Sequence, residues 1–226
     1  IFIDMGCGQT MTAVMHDKQL KFTHVDQEGG EFVTKDISIV LNTSFNNAEA
    51  LKINYGDAYP SRTSADEEFP VDVIGKTDPI KVDERYLAEI IEARLEQIFR
   101  KAKESLDEIE ALDLPGGIVL TGGAASLPGV VDLAEDIFGT TVKLHVPNQM
   151  GLRNPVFTNV ISIVNYSAEL SDVYHLAKSA VTGEKVSLSA APQTNAVSTT
   201  PVYDDYDASN DYEEETIAKN DEIVTG

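Results

Sequence analysis

Hydrophobic and polar positions alternate along the first 25 residues and then change period. Ile1–Met5, Thr10–His16 and Leu20–Val25 keep the two-residue alternation of half-buried strands, with Asp17-Lys18-Gln19 as a hairpin-sized link. From Gly29 to Asn42 the apolar positions Phe32, Val33, Ile37, Val40 and Leu41 fall at helical spacing, and Asn47–Tyr55 predicts a second helix closed by Gly56. Residues 57–82 mix short β-like runs, Val71–Ile74 and Ile80–Val82, with Pro and Gly. Asp83 is placed to cap a long helix, in which Leu87, Ile91, Leu95, Ile98, Phe99, Ala102, Leu106 and Ile109 repeat as one buried face. Beyond Pro115, Gly116-Gly117 leads into a strand at Ile118–Leu120. A helix over Leu127–Phe138, a strand over Val142–Val146 and a mostly helical stretch over Asn154–Ser171 complete the pattern. Strands interleaved with helices in this way predict an α/β fold.

Composition adds a boundary and removes some functions. The 226 residues carry a formal net charge of −21 and 42% apolar residues. Such a chain can bury a core but repels phosphate backbones, so no nucleic-acid partner is expected. No window reaches the ~18 consecutive apolar residues of a membrane span, and a single cysteine allows no intramolecular disulfide, which suits a reducing compartment. The first residues, Ile1-Phe2-Ile3, read as the middle of a strand with no initiating methionine, so the chain is expected to be a fragment cut from a larger protein. Residues 173–226 hold ten acidic against three basic residues. They pass from the Ser/Thr/Ala/Pro-rich stretch Ser187–Pro201 to Tyr203-Asp204-Asp205-Tyr206-Asp207 and Glu213-Glu214-Glu215. Too little apolar area is present there to offset ordering entropy, and a disordered acidic linker is expected.

Two glycine turns at strand ends are the candidate chemistry. In Asp4-Met5-Gly6-Cys7-Gly8-Gln9-Thr10, small residues let backbone N–H groups approach phosphate oxygens, and Thr10 offers a hydroxyl donor. Asp4, at the end of its strand, suits a metal ion held through water rather than the phosphate, since like charges repel. The alternative is a plain glycine hairpin. Gly6-x-Gly8 lacks the third glycine and subsequent helix of a dinucleotide fingerprint, and no G-x-x-x-x-G-K-S/T is present. In Leu120-Thr121-Gly122-Gly123-Ala124, a buried strand runs into bare backbone against which a flat ring or ribose can lie. Between the turns, Glu49 can accept from ribose hydroxyls, and Lys52, one turn along the same face, can cover a purine edge. An ordinary surface ion pair is the alternative there.

The order D-M-G-C-G-Q-T, A-E-A-L-K, T-G-G-A-A-S-L-P-G resembles the second half of the actin-like ATPase superfamily, the first as its second phosphate motif and the last as its adenosine motif. Gln27–Ile37, Ala48–Gly56 and Ile91-Glu92-Ala93-Arg94 resemble the FtsA family of bacterial cell-division proteins more narrowly. The resemblance implies an actin-like (ribonuclease H-like) α/β domain with an inserted α+β capping subdomain. Residues 1–42 and 105–172 would form subdomain 2A, 43–104 the 2B cap, and 173–226 a spacer. It implies ATP with Mg²⁺ as cofactors, held by Gly6, Cys7, Gly8, Gln9, Thr10, Glu49, Lys52, Gly122, Gly123 and Ala124, with Asp4 reaching the metal through water. Cys7 stands where the family usually has glycine. The chain would supply no catalytic residue, and the full protein at most a slow ATPase. Implied partners are the FtsZ tail peptide at Arg94, further copies in a filament, and the cytoplasmic face of the membrane at the septum. The membrane contact would run through a C-terminal amphipathic helix that this chain lacks. A pilus-assembly relative and an actin-superfamily kinase or phosphatase are the alternative readings.

Overall fold

A computed structural model of the chain describes residues 1–183. Its first three strands, β1 (Phe2–Met5), β2 (Thr10–His16) and β3 (Gln19–Asp26), form an antiparallel meander with Phe2 opposite Ala13 and Met5 opposite Thr10. At the β2–β3 tip Asp17 and Lys18 both adopt left-handed φ values, 50° and 61°, the backbone twist a two-residue hairpin requires. Helices α1 (Gly30–Val40) and α2 (Phe45–Tyr55) come next, then a small antiparallel sheet of β4 (Glu68–Val71) and β5 (Ile80–Asp83). Helix α3 (Glu84–Asp107) leads back to β6 (Ile118–Thr121), α4 (Val130–Phe138) and β7 (Val142–Leu144); α5 (Thr158–Glu169) and α6 (Asp172–Thr182) come last. The main sheet has the order β3-β2-β1-β6-β7, with β6 parallel to both of its neighbours. The parallel pairing places the ends of β1 and β6 side by side, Asp4 in register with Thr121. Both glycine turns therefore leave the sheet at the same edge.

One face of the sheet is buried. Ile3, Met5 and Val14 point into a core shared with Val33 and Ile37 of α1, Leu95, Ile98 and Phe99 of α3, and Leu133 and Phe138 of α4. The opposite face leaves Phe2, Met11, Met15, Leu20 and Val25 exposed. Asp83 caps α3 by accepting the Tyr86 N–H at 2.8 Å, and the 24-residue helix runs roughly 36 Å from the small sheet to the large one.

Several expected boundaries move. The strand expected at Val71–Ile74 lies earlier, at Glu68–Val71, and carries Pro70 in its middle; a two-stranded sheet is all edge, so the missing N–H costs no ladder bond. Helix α4 starts at Val130 rather than Leu127, after a single 3₁₀ turn at Ala124–Ser126 and a left-handed Gly129. Ile109 lies beyond the end of α3 and is exposed, not part of its buried stripe. The strand expected to reach Val146 ends at Leu144. The first residues of the expected disordered linker, 173–182, are helical within α6, and the remainder of that segment lies outside the described residues. Among the described residues no helix is long and apolar enough to cross a membrane.

Candidate functional site

A cavity of about 540 Å³ opens where β1, β6, α1 and α2 meet, and all three sequence motifs reach it. Asp4, Gly6 and Cys7 come from the first turn, Glu49 and Lys52 from α2, and Gly122, Gly123 and Ala124 from the second turn. Gly8, Gln9 and Thr10 do not line it.

Helix α1 holds the first turn in place. The Gly6 N–H donates to the Gln9 carbonyl at 3.0 Å, while the Gly6 and Cys7 carbonyls accept the Gly30 and Glu31 N–H groups at 2.9 and 2.8 Å. The helix thus begins on the back of the turn, two of its otherwise unpaired N–H groups satisfied. Gly29 makes this approach possible, because a Cβ there would lie 2.5 Å from the Cys7 oxygen and 2.6 Å from that of Gly6. The N–H groups of Cys7 and Gly8 have no acceptor among the described residues, which leaves two donors for an anion. Thr10 does not act as expected. It is buried, and its hydroxyl donates to the Glu28 carbonyl at 2.8 Å, so its one proton is spent inside the protein.

The two glycines of the second turn divide the work. Gly122 has φ +95°, and a Cβ there would lie 2.5 Å from Asp4 Oδ1 and against the Met5 carbonyl, so this position requires glycine for the backbone itself. At Gly123 a Cβ would meet only Val156, at 3.5 Å, an ordinary contact. The second glycine keeps space open in the cavity without being needed by the fold.

Asp4 accepts from Asn159 Nδ2 at 2.7 Å through Oδ2, while its Oδ1 is buried without a partner. The hydroxyls of Thr121, beside it in register, and of Thr158, adjacent to Asn159, are likewise buried and unpartnered. Orphaned polar atoms are rare in folded proteins and mark a place for water or a ligand. No group of three or more His, Cys, Asp or Glu side chains that could hold a metal directly occurs among the described residues. The unpaired Asp4 Oδ1 fits an ion held through water.

Glu49 and Lys52 form a closed pair rather than a free one. Lys52 Nζ lies 2.7 Å from Glu49 Oε2, 2.6 Å from Thr34 Oγ1 and 3.0 Å from the Gly30 carbonyl, and all three ammonium donors are used. The side chain is nearly buried and lines the cavity, and its charge, expected over a purine edge, is met by acceptors within the chain. Thr34 also donates to Glu49 Oε2, so both contacts fall on one oxygen. Burial raises the Glu49 pKa, but the hydrogen bonds from Lys52 and Thr34 and the Lys52 charge outweigh it and hold the carboxyl below its ordinary value. Asn159 and Val156 had no signal in the sequence, and Thr34 lay in a stretch singled out only for its family resemblance, since each enters through a partner distant along the chain.

Arg94 lies on the far side of α1. Its Nε and Nη2 bind Asp36 at 2.6 and 3.1 Å, Nη1 reaches Glu28 at 3.2 Å and Gln97 at 2.8 Å, and the guanidinium lies 5.8 Å from the Phe32 ring centre. The hydrogen bond with Asp36 leads the forces that hold it more firmly charged than usual. Lys101 joins the same group, 2.6 Å from Glu28. The guanidinium that the resemblance assigns to the FtsZ tail peptide is thus engaged within the chain.

Comparison with known proteins fixes the lineage. The family model of the cell division protein FtsA matches residues 1–162. The chain is 74% identical over 229 residues to the cell division protein FtsA of Enterococcus hirae, covering 100% of this chain and 51% of that protein. It is 54% identical over 182 residues to FtsA of Streptococcus pneumoniae serotype 2 (strain D39 / NCTC 7466), covering 80% and 40%. The chain thus spans about half the length of the curated relatives it matches. Among solved structures, a PilM-PilN type IV pilus biogenesis complex aligns over 75% of this chain and 46% of its own at a TM-score of 0.56 and 16% identity. MreB5 of Spiroplasma citri bound to ADP aligns over 73% and 54%, TM-score 0.52 and 17% identity. A MamK double helical filament aligns over 75% and 54%, TM-score 0.53 and 17% identity. These likenesses show an actin-like fold and no more. With its family model matched from the first strand into α5, the chain belongs to the FtsA family of cell-division proteins.

Proposed function

We propose that this chain supplies the second half of a nucleotide site in an FtsA-type protein that binds ATP, assembles with copies of itself, and links the FtsZ ring to the cytoplasmic face of the membrane at the division septum. One observation carries the nucleotide assignment: three motifs, from Asp4 near the start of the chain to Ala124, line a single cavity. The free N–H of Cys7 would meet the phosphates, with that of Gly8 at the rim of the turn, Glu49 takes the ribose hydroxyls, and Gly122-Gly123-Ala124 lies beneath the adenosine. Asp4 Oδ1 would hold Mg²⁺ through water, and that ion, when bound, offsets the charge of the phosphates. The ADP bound to the Spiroplasma citri protein and the filament formed by MamK support the nucleotide and self-assembly parts through the shared fold. The pilus-assembly and kinase alternatives yield to the FtsA family assignment.

Gly123→Val tests the nucleotide assignment. The fold tolerates a side chain there, so circular dichroism should stay unchanged while ATP binding is lost. Unchanged ATP affinity refutes the adenosine placement. For the FtsZ tail we keep the Arg94 flank, where Ile39, Val40, Ile90 and Ala93 line a groove of about 340 Å³ beside Asp36. Because Arg94 is already engaged, a peptide carboxylate there would share the guanidinium with Asp36, and the groove walls would carry most of the contact. Ile39 is 65% exposed, so Ile39→Glu should leave the fold intact and abolish binding of an FtsZ C-terminal peptide in a calorimetric titration. Equal affinities would move the peptide elsewhere.

A further inference from the structure

We propose that Thr34 is a positioning residue for the sugar subsite: its hydroxyl fixes the proton order of a Lys52–Thr34–Glu49 relay, so that a single carboxylate oxygen, Glu49 Oε1, faces the ribose. This rests on the nucleotide reading of the cavity and deepens it.

The direction of each bond is set by the donor inventory. An ammonium can only donate, so across the 2.6 Å contact Thr34 Oγ1 must accept from Lys52 Nζ. The one hydroxyl proton then goes outward; the acceptors in reach are Glu49 Oε2 and the Gly30 carbonyl at 3.2 Å, and the charged carboxylate is the stronger of the two. Glu49 Oε2 thus receives two donors, Thr34 from α1 and Lys52 from its own helix. Two donors on one oxygen pin the carboxylate plane. Oε1 is left without a partner among the described residues, on a side chain 40% exposed that lines the cavity. Thr34 itself is fully buried and does not line the cavity. It acts only through Glu49. Without the hydroxyl the carboxylate can rotate about its last bond, and Lys52 loses one of three acceptors in a site where an unmet donor is costly.

The test compares ATP with 2′,3′-dideoxy-ATP, which lacks both ribose hydroxyls, on a protein carrying this chain at the full length of its relatives. Equilibrium binding of each nucleotide with Mg²⁺ is measured for the wild type, Thr34→Val and Thr34→Ser. The wild type should favour ATP about tenfold, the scale of one charged hydrogen bond. Thr34→Val, which keeps the shape and removes the hydroxyl, should bring that ratio close to one. Thr34→Ser, which keeps the hydroxyl, should restore it. A merely structural role would lower both affinities together and leave the ratio alone. If discrimination survives in Thr34→Val, or if the serine variant fails as the valine variant does, the positioning role is overturned while the nucleotide reading stands. If the wild type binds both nucleotides equally, the sugar assignment of Glu49 falls, and the role of Thr34 with it.

Discussion

Two ion clusters flank α1, built from similar parts and closed to different degrees. On the cavity side, Lys52, Thr34 and Glu49 satisfy one another but leave one carboxylate oxygen without a partner among the described residues. On the other side, Arg94 spends its guanidinium on Asp36, Glu28 and Gln97, and Lys101 adds a second cation to Glu28. The open cluster keeps an acceptor in reserve, whereas the closed one fastens α1 to α3 and to the end of β3. The type of charged residue does not distinguish them. What does is whether any acceptor or donor remains when the internal partners are counted.

Breaking the closed cluster should give the largest effect. Arg94→Glu removes both bonds to Asp36 and adds a third carboxylate beside Asp36 and Glu28, which should lower stability by about 3 kcal/mol. Urea unfolding measures this, and a shift within error of zero would mean the cluster is ornamental to the fold. The open cluster should respond in the opposite manner. Glu49→Gln should weaken ATP binding by about 2 kcal/mol, with a smaller change in unfolding midpoint, since Lys52 keeps Thr34 and Gly30 as acceptors. A variant in which stability falls and affinity does not would erase the contrast.

Acid provides a finer probe of the closed side. The Lys101 hydrogen bond, opposed by burial and aided by the charges of Lys101 and Arg94, holds the Glu28 carboxyl below its ordinary pKa. A carboxyl depressed in the folded state stabilises fully above its unfolded value near about pH 4.3, and that share is lost as pH falls through the folded value. Wild-type protein should therefore lose more stability than Glu28→Gln between pH 5 and acid. Parallel curves would remove Glu28 from the account. The smallest expected effect returns to the cavity. If the Cys7 side chain narrows the first turn, Cys7→Gly should tighten ATP binding by no more than about 1 kcal/mol. Weaker binding in that variant would make the thiol a fitted part of the wall.

Much of this architecture is legible in the sequence. The period-two runs at Phe2–Met5 and Thr10–His16 and the apolar stripe from Leu87 to Leu106 survive almost unchanged, because burial of one face leaves a repeating trace. Residues 57–82 are less readable, since a small all-edge sheet buries few side chains and tolerates Pro70. At the site, residue types are legible and their commitments are not. Thr10, Lys52 and Arg94 each stand out as polar groups near a motif. Their partners lie 18, 18 and 58 positions away in Glu28, Thr34 and Asp36, and periodicity does not carry such pairings.

The seating of α1 on the first turn bears on timing as well as shape. Because the Gly30 and Glu31 amides are bound to the Gly6 and Cys7 carbonyls, the turn is ordered as the helix forms, and the roughly 1–2 kcal/mol per residue of backbone ordering is met during folding instead of at ligand arrival. Those two amides also become clocks for the turn. They can exchange with deuterated solvent only when the helix lifts from the glycines, so their exchange rate reads how often the first turn opens.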